Sequence, residues 1–223
     1  MTSKKVLLSW SSGKDSAWAL HVLRQQPGLE IVGLITTINS AFDRVAMHST
    51  RRSLVEMQAA AAGLPLVAVP LPWPCSNADY ECAMKAGCDQ AVANGVRAIA
   101  FGDLFLADIR AYRERQLANT GLEPLFPLWQ IPTDELAREM IGSGLKARLV
   151  CVDPKALHSN FAGREFDEQL LRDLPTGVDP CGENGEFHTF AYAGPMFSHP
   201  IRFTAGERVE RDGFWFADLR EEF

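Results

Sequence analysis

Short apolar runs alternate along the chain with longer stretches in which apolar residues recur every three or four positions. The apolar runs, which are typical of buried strands, fall at residues 6–8, 31–37, 66–71 and 96–101. The stretches between them predict helices, so the first half of the chain reads strand, helix, strand, helix, strand, helix, strand. This alternation predicts an α/β fold, with a Rossmann-like parallel sheet and helices on both of its faces.

Residues that can cap or break a helix mark the ends of the predicted helices. The N-cap candidates are Asp15 or Ser16, Ser49 or Thr50, and Asn77. Glycine or proline then ends the three helices at residues 27–28, 63–65 and 95. A fourth helix is predicted over residues 104–117, and its Asp108 and Arg113 either line a ligand site or form ordinary surface ion pairs.

The pattern changes in the second half of the chain. Three prolines between residues 124 and 132 predict a lapse of regular structure and a boundary between a domain of residues 1–129 and a domain of residues 130–223. In the second domain we expect a helix over 133–141, a strand over 147–152, a short helix over 166–174 and a hairpin around Asp212-Gly213. These elements predict a smaller C-terminal α+β domain.

Composition narrows the class of protein. The chain has 223 residues, 47% of them hydrophobic, and a net charge of -6, which indicates a globular protein and argues against broad nucleic-acid binding. No apolar stretch is long enough to span a membrane and no signal region follows the N-terminus, so a cytoplasmic location is expected. We expect the five cysteines to be free thiols, since no Cys-x-x-Cys pair occurs among Cys75, Cys82, Cys88, Cys151 and Cys181.

Residues 6–23 combine a strand, a loop of small residues and the start of a helix. Free amides and the positive end of the helix dipole converge at such a loop, which can bind an anion. Lys14 adds a mobile cation, and Gly13 lets a phosphate approach the backbone. An ordinary strand-to-helix turn stays open as an alternative, because neither the Walker nor the Rossmann glycine pattern fits. The candidate phosphate-binding residues are Ser9, Ser11, Ser12, Gly13, Lys14, Asp15 and Ser16.

Polar residues follow two other predicted strands. Ligands of parallel α/β folds bind at the carboxyl ends of the strands, which is where these residues would lie. Thr36 and Thr37 end the second apolar run, although they could equally be plain strand residues. Gly102 and Asp103 follow the fourth run, and an acid just past a strand end is well placed for a metal or a substrate.

A second group of polar residues lies at 179–190, where carboxylates, an imidazole, an amide and a thiol surround two glycines. Glu183, Glu186 and His188 could hold a magnesium ion, bind a substrate ammonium group or transfer a proton. The alternative is a polar surface turn, for which Asn184-Gly185 is a normal signal.

The loop at residues 11–16 resembles the Ser-Gly-Gly-x-Asp-Ser pyrophosphate loop (PP-loop) of ATP pyrophosphatases, enzymes that cleave ATP between its α- and β-phosphates. Ser12 replaces the first glycine, where small size is the expected requirement. Over most of its length the chain resembles the diphthine–ammonia ligase family, also called diphthamide synthase, of the adenine-nucleotide α-hydrolase superfamily. The similar stretches are residues 11–16, 44–48, 101–110, 126–129, 163–164 and 179–190. The most specific part is Gly182-Glu183-Asn184-Gly185-Glu186-Phe187.

This resemblance implies an ATP-binding domain and a smaller domain that contributes to an acceptor site. A substrate carboxylate would attack the α-phosphorus of ATP and release pyrophosphate, and ammonia would then displace AMP to leave an amide. ATP and Mg²⁺ are the implied cofactors, with the metal held partly by Asp15. Catalytic roles would fall to Lys14, Asp15, Asp103, Glu183, Glu186 and His188, and nucleotide binding to the loop residues together with Thr36, Thr37 and Gly102.

The acceptor carboxylate implied by the family is protein-bound diphthine, but the family also has prokaryotic members without an assigned substrate, so a small molecule stays open. Homo-oligomer formation stays open too. Two other classes of function remain: a nucleotide-binding regulatory module without chemistry, and an RNA-modifying enzyme that transfers sulfur after the same adenylation step. Pyrophosphate release would exclude the first, and the missing Cys-x-x-Cys pair and basic patch argue against the second.

Overall fold

The computed structural model describes residues 3–45 and 49–222. The first half contains strands β1 (Lys4–Ser9), β2 (Leu29–Asn39), β3 (Arg44–Val45), β4 (Leu66–Leu71), β5 (Ala98–Ala100) and β6 (Glu123–Leu125). Its helices are α1 (Lys14–Arg24), α2 (Arg52–Ala62), α3 (Asn77–Ala93) and α4 (Ala107–Leu117). Ala46, Met47 and His48 of the family-like stretch 44–48 lie outside the described residues.

The strands of the first half form one mostly parallel sheet. Its order is β3-β2-β1-β5-β6, with β4 paired to β2. Strands β1, β2, β4, β5 and β6 pair in parallel, and the short β3 is antiparallel to β2. The predicted Rossmann-like α/β fold is therefore confirmed.

The second half contains α5 (Thr133–Gly142), β7 (Lys146–Val152), a 3₁₀ turn (Ser159–Phe161), α6 (Glu168–Asp173), β8 (Phe187–Ala193), β9 (Phe203–Arg211) and β10 (Phe214–Glu221). Its four strands form an antiparallel sheet in the order β8-β7-β10-β9. The hairpin predicted at Asp212-Gly213 joins β9 to β10. The smaller α+β part is thus also confirmed.

Several element boundaries differ from the sequence prediction. Gly13, not Asp15 or Ser16, is the N-cap of α1, so Asp15 and Ser16 both lie inside its first turn. Ser76 caps α3 in place of Asn77, because Ser76 and Asp79 bond each other's backbone amides in a capping box. Helix α4 begins at Ala107 rather than at residue 104.

Strands β3, β6 and β8 were not predicted from the sequence. Strand β6 contains Pro124 in the stretch where we expected regular structure to lapse, and it pairs with β5 on only one side. Strand β3 spans two residues, too few to show a period of two. Strand β8 begins at Phe187 inside the region read as a polar loop, which places His188 and Thr189 on a strand.

The two sheets share one buried apolar cluster. Trp10 and Trp18 from the first half and Met140, Phe166 and Phe187 from the second half belong to it, each less than 3% exposed. All five cysteines are free, as expected. Within residues 3–45 and 49–222 no helix is both long and apolar enough to cross a bilayer.

The buried side chain of Gln58 in α2 joins three elements. Its Oε1 accepts a hydrogen bond from the Trp10 indole at 2.8 Å. Its Nε2 donates to the carbonyl of Ser12 at 3.0 Å and to that of Ala191 at 2.6 Å. Since Ser12 lies in the loop after β1 and Ala191 lies in β8, this side chain ties the loop to the second sheet.

We expect Gln58→Leu to lower the free energy of unfolding by at least about 2 kcal/mol, because it removes the partner of a buried indole N–H and of two carbonyls. Urea denaturation measures the change. Gln25→Leu is the matched control: Gln25 is exposed just after α1, so its replacement should shift the value by less than about 0.5 kcal/mol. A Gln58→Leu protein as stable as the wild type would contradict the role given to this side chain.

Candidate functional site

The loop between β1 and α1 opens into a cavity of about 190 Å³. Gly13, the N-cap, has extended backbone angles and no side chain to cover the first-turn amides of α1. The lining residues from this loop and helix are Ser9, Ser11, Gly13, Lys14, Asp15 and Ser16. The remaining lining residues are Phe101, Gly102, Asp103, Arg113, Cys181, Gly182, Glu183, Phe187, His188 and Thr189.

Ser12 belongs to this loop but does not line the cavity. It is fully buried, its hydroxyl bonds the hydroxyl of Thr50 at 2.8 Å, and its carbonyl accepts the amide of Ala191 at 2.9 Å. Its φ is 72°, in the left-handed region that favours glycine. The glycine of the family pattern therefore answers a backbone requirement here rather than the requirement for small size that we expected.

Lys14 is buried rather than mobile. Its ammonium contacts both carboxylate oxygens of Asp15, at 2.8 and 2.9 Å, and donates to the carbonyl of Cys181 at 2.5 Å. It also lies over the rings of Phe166 and Phe187. Burial is the largest effect on Lys14 and lowers its pKa, but the surrounding acidic groups, of which Asp15 contributes most, together outweigh burial and the pKa is raised. The prediction of a mobile cation on an open loop is wrong for this side chain.

A second cavity of about 200 Å³ adjoins the first. Ser9, Ser11, Phe101 and Arg113 line both. Thr36 and Thr37 line only the second cavity, within β2 rather than past its end. Thr36 lines this cavity together with Ile35, Tyr80 and Met84, and its buried hydroxyl has no hydrogen-bond partner among the described residues.

The two glutamates of the 179–190 stretch have different positions. Glu183 lines the first cavity, and its Oε1 accepts the backbone amide of Leu104 at 2.8 Å. Glu186 is 7% exposed and does not line that cavity. Its Oε1 accepts the amides of Asp179 and Asn184, at 3.0 and 3.1 Å, so it holds the turn together. The structure thus brings Glu183 and His188, but not Glu186, into the cavity with the phosphate loop.

Thr189 and Gln58 support the loop and were not singled out from the sequence. Thr189 Oγ1 accepts the backbone amide of Lys14 at 3.0 Å. The two residues are 175 positions apart along the chain. A single threonine or glutamine at such a distance gives no local signal, whereas the neighbouring Glu183 and His188 stood out by their charge.

Comparison with known proteins decides the family. The model of the diphthamide synthase N-terminal domain matches residues 4–124, and that of the diphthamide synthase C-terminal domain matches residues 132–220. The chain belongs to the diphthamide synthase family.

Curated members of the diphthamide synthase family share moderate identity with the chain. A human protein named diphthine–ammonia ligase is 34% identical over 130 residues, which are 56% of this chain and 48% of the relative. A zebrafish (Danio rerio) protein of the same name is 36% identical over 120 residues, 51% of this chain and 47% of the relative. A Schizosaccharomyces pombe protein of that name is 27% identical over 226 residues, 92% of this chain and 37% of the relative. The chain spans about half or less of the length of these relatives.

Burial shifts the ionisation of the cavity acids and bases in this diphthamide synthase family member. It raises the pKa of Glu183 to about 7, against the hydrogen bond from Leu104. It raises the pKa of Asp103 as well, although Arg113 opposes the shift. Burial and the charge of Lys14 lower the pKa of His188 to about 4, so the imidazole is neutral at pH 7. Burial also raises the pKa of the Cys181 thiol, which is therefore not prepared as a nucleophile.

The acids at the cavity are spread out rather than clustered. Among the described residues, no group of three or more His, Cys, Asp or Glu could hold a metal ion. Asp15 is paired with Lys14, while Oδ2 of Asp103 is buried without a hydrogen-bond partner among the residues described. Such separate carboxylates do not form a protein cage, but they fit Mg²⁺ that is held by one or two carboxylates together with phosphates.

Gly102 lies against the first turn of α1, where a Cβ would be 3.0 Å from the backbone carbon of Asp15 and from the amide nitrogen of Ser16. We expect Gly102→Ala to displace this turn and to weaken MgATP binding at least about tenfold, measured by calorimetry. Gly142→Ala is the control, since a Cβ at the end of α5 meets no atom within 4 Å. Equal MgATP affinity in both variants would contradict the close approach.

The raised pKa of Glu183 predicts a pH-dependent contribution to stability. The native carboxyl keeps its proton up to about pH 7, above its ordinary value of 4.5, so its stabilising contribution is complete below pH 4.5 and is lost as the pH rises through 7. We expect the stability of the wild type relative to Glu183→Gln to fall between about pH 5 and about pH 8. Urea denaturation measures the stability of both proteins at each pH. Both contain His188, so its titration cancels in the difference between them. A difference in stability that does not change with pH would refute the raised pKa of Glu183.

Proposed function

We propose that the protein is an ATP-dependent ligase that adenylates a substrate carboxylate and transfers ammonia to it. The observation that supports this most directly is that the phosphate loop shares one cavity with Glu183 and His188 from the second half of the chain. An anion-binding helix start and a group that titrates near neutral pH are what phosphate departure and proton transfer require.

The reaction would have two steps. The acceptor carboxylate attacks the α-phosphorus of ATP, which forms an acyl-adenylate and releases pyrophosphate. Ammonia then attacks the acyl carbon, which forms an amide and releases AMP and a proton. Backbone amides at the start of α1 would stabilise the charge on the departing pyrophosphate, and losing one such donor typically raises a barrier by about 2.7–4 kcal/mol.

Glu183 would accept a proton in the second step. Ammonia is mostly ammonium at pH 7, so a base near the acyl carbon must take a proton before or during attack. A carboxylate whose pKa is raised to about 7 by burial is a stronger base than an ordinary glutamate. His188 stays neutral, since its pKa is lowered to about 4, and would serve as a hydrogen-bonding group rather than as a cation.

Magnesium would enter with ATP. Asp103, and Asp15 when it is released from Lys14, would hold the metal, and the metal would supply positive charge against the phosphates. Once Glu183 has lost its proton above about pH 7, the first cavity contains three carboxylates, Asp15, Asp103 and Glu183, against the two cations Lys14 and Arg113. This balance disfavours a bare polyphosphate anion and supports binding of its magnesium complex.

The relatives named diphthine–ammonia ligase suggest the acceptor. We propose a diphthine-type carboxylate carried on a protein, with ammonia as the amine. We further propose that residues 1–129 bind ATP and that residues 130–223 meet the acceptor. The position of Glu183 and His188, which reach the ATP-binding part from the second half, supports this division.

Incubation of the protein with MgATP, ammonium chloride and a diphthine-bearing protein tests the reaction. We expect AMP and pyrophosphate in phosphorus NMR, and a mass change in the acceptor that matches conversion of its carboxylate to an amide. Release of ADP and phosphate with the amide formed would contradict adenylation. Nucleotide binding without any product would instead favour a regulatory module.

Glu183→Gln should leave MgATP affinity nearly unchanged and should lower turnover by about 10²–10⁴, the usual contribution of a positioned acid or base. Glu207→Gln, on the exposed strand β9, is the matched control and should turn over as the wild type does. Full activity of Glu183→Gln would remove the proposed base.

A further inference from the structure

Arg113 occupies the junction of the two cavities. It lies in α4, and it is one of four described residues that line both cavities, the others being Ser9, Ser11 and Phe101. Arg113 is the charged member of this set. A ligand that extends from one cavity into the other must therefore pass its guanidinium.

The guanidinium of Arg113 contacts two neighbouring side chains, but its Nε makes no hydrogen bond among the described residues. It stacks on the ring of Phe101 at 5.0 Å, and its Nε lies 3.8 Å from Oδ2 of Asp103, beyond hydrogen-bond length. Both of these atoms are buried and lack a hydrogen-bond partner among the described residues. Leaving a buried donor and acceptor without a hydrogen bond costs free energy. The Arg113 side chain as a whole is 25% exposed, so a ligand in the cavities can reach its guanidinium.

Lys14, the other cation of the first cavity, already has partners for its ammonium group. The ammonium of Lys14 contacts Asp15 and the carbonyl of Cys181. Arg110, one turn before Arg113 in α4, is also satisfied, since it pairs with Glu114 at 2.8 Å and stacks on Phe126 and Trp129. Of these three cations, Arg113 is the one that lines both cavities and whose Nε has no hydrogen-bond partner among the described residues.

We propose that Arg113 binds the α-phosphate of ATP and stabilises the negative charge that develops there when the carboxylate attacks. This inference rests on the proposed function. A nucleotide with its pyrophosphate at the α1 loop and its adenosine in the second cavity has its α-phosphate at the junction. Asp103, besides its proposed part in holding magnesium, then orients the guanidinium through Oδ2, which lies 3.8 Å from Nε.

Binding of a series of ligands tests this assignment by calorimetry. Arg113→Gln should weaken binding of AMP and of MgATP at least about tenfold, because both contain the α-phosphate and lose a charge-assisted hydrogen bond. The same change should leave the affinities for adenosine and for magnesium pyrophosphate within about twofold, since neither ligand has an α-phosphate between base and pyrophosphate. Arg113→Lys keeps the charge and should recover part of the AMP affinity.

Arg110→Gln is the matched control and should leave all four affinities unchanged. Thermal unfolding of each variant establishes that it is folded. An equal loss of adenosine and AMP affinity in Arg113→Gln would overturn the proposal in favour of a structural role. Wild-type AMP affinity in Arg113→Gln would overturn it while leaving the ligase function intact, whereas a wild-type protein that binds no adenine nucleotide would overturn both.

Discussion

The candidate phosphate loop between β1 and α1 keeps its shape because strand β8 of the second sheet bonds to its backbone. The carbonyl of Ser12 accepts the amide of Ala191, and the amide of Lys14 donates to the hydroxyl of Thr189. Gln58 adds a bond to the same carbonyl of Ser12. These contacts pair the backbone carbonyl of Ser12 and the amide of Lys14, so the remaining first-turn amides of α1 can face the cavity and a ligand.

The same arrangement makes the two halves of the chain depend on each other. The ammonium of Lys14, at the start of α1, donates to the carbonyl of Cys181 and lies over the rings of Phe166 and Phe187. A buried ammonium is costly unless it is paired, and its partners come from both halves. Movement of the second half away from the loop would expose this charge, which favours a cavity whose two sides stay together.

The three acids of the 179–190 stretch have different roles in the structure. Glu186 and Asp179 hold the turn through backbone amides, whereas Glu183 extends into the cavity and bonds the amide of Leu104. This turn therefore connects the rim after β5 to the second sheet. A carboxylate held by a single amide and surrounded by buried groups keeps a raised pKa, which suits a proton acceptor near neutral pH.

The sequence by itself determined the order of the helices and of the longer apolar strands, and it singled out the candidate phosphate loop and the polar stretch at 179–190, because hydrophobic periodicity and charge are local properties. Tertiary structure alone decided which of those residues face the cavity. It turned Ser12 and Glu186 away, buried Lys14, and placed Arg113 at the junction of two cavities. These positions depend on packing between residues far apart in the chain, which no local pattern records.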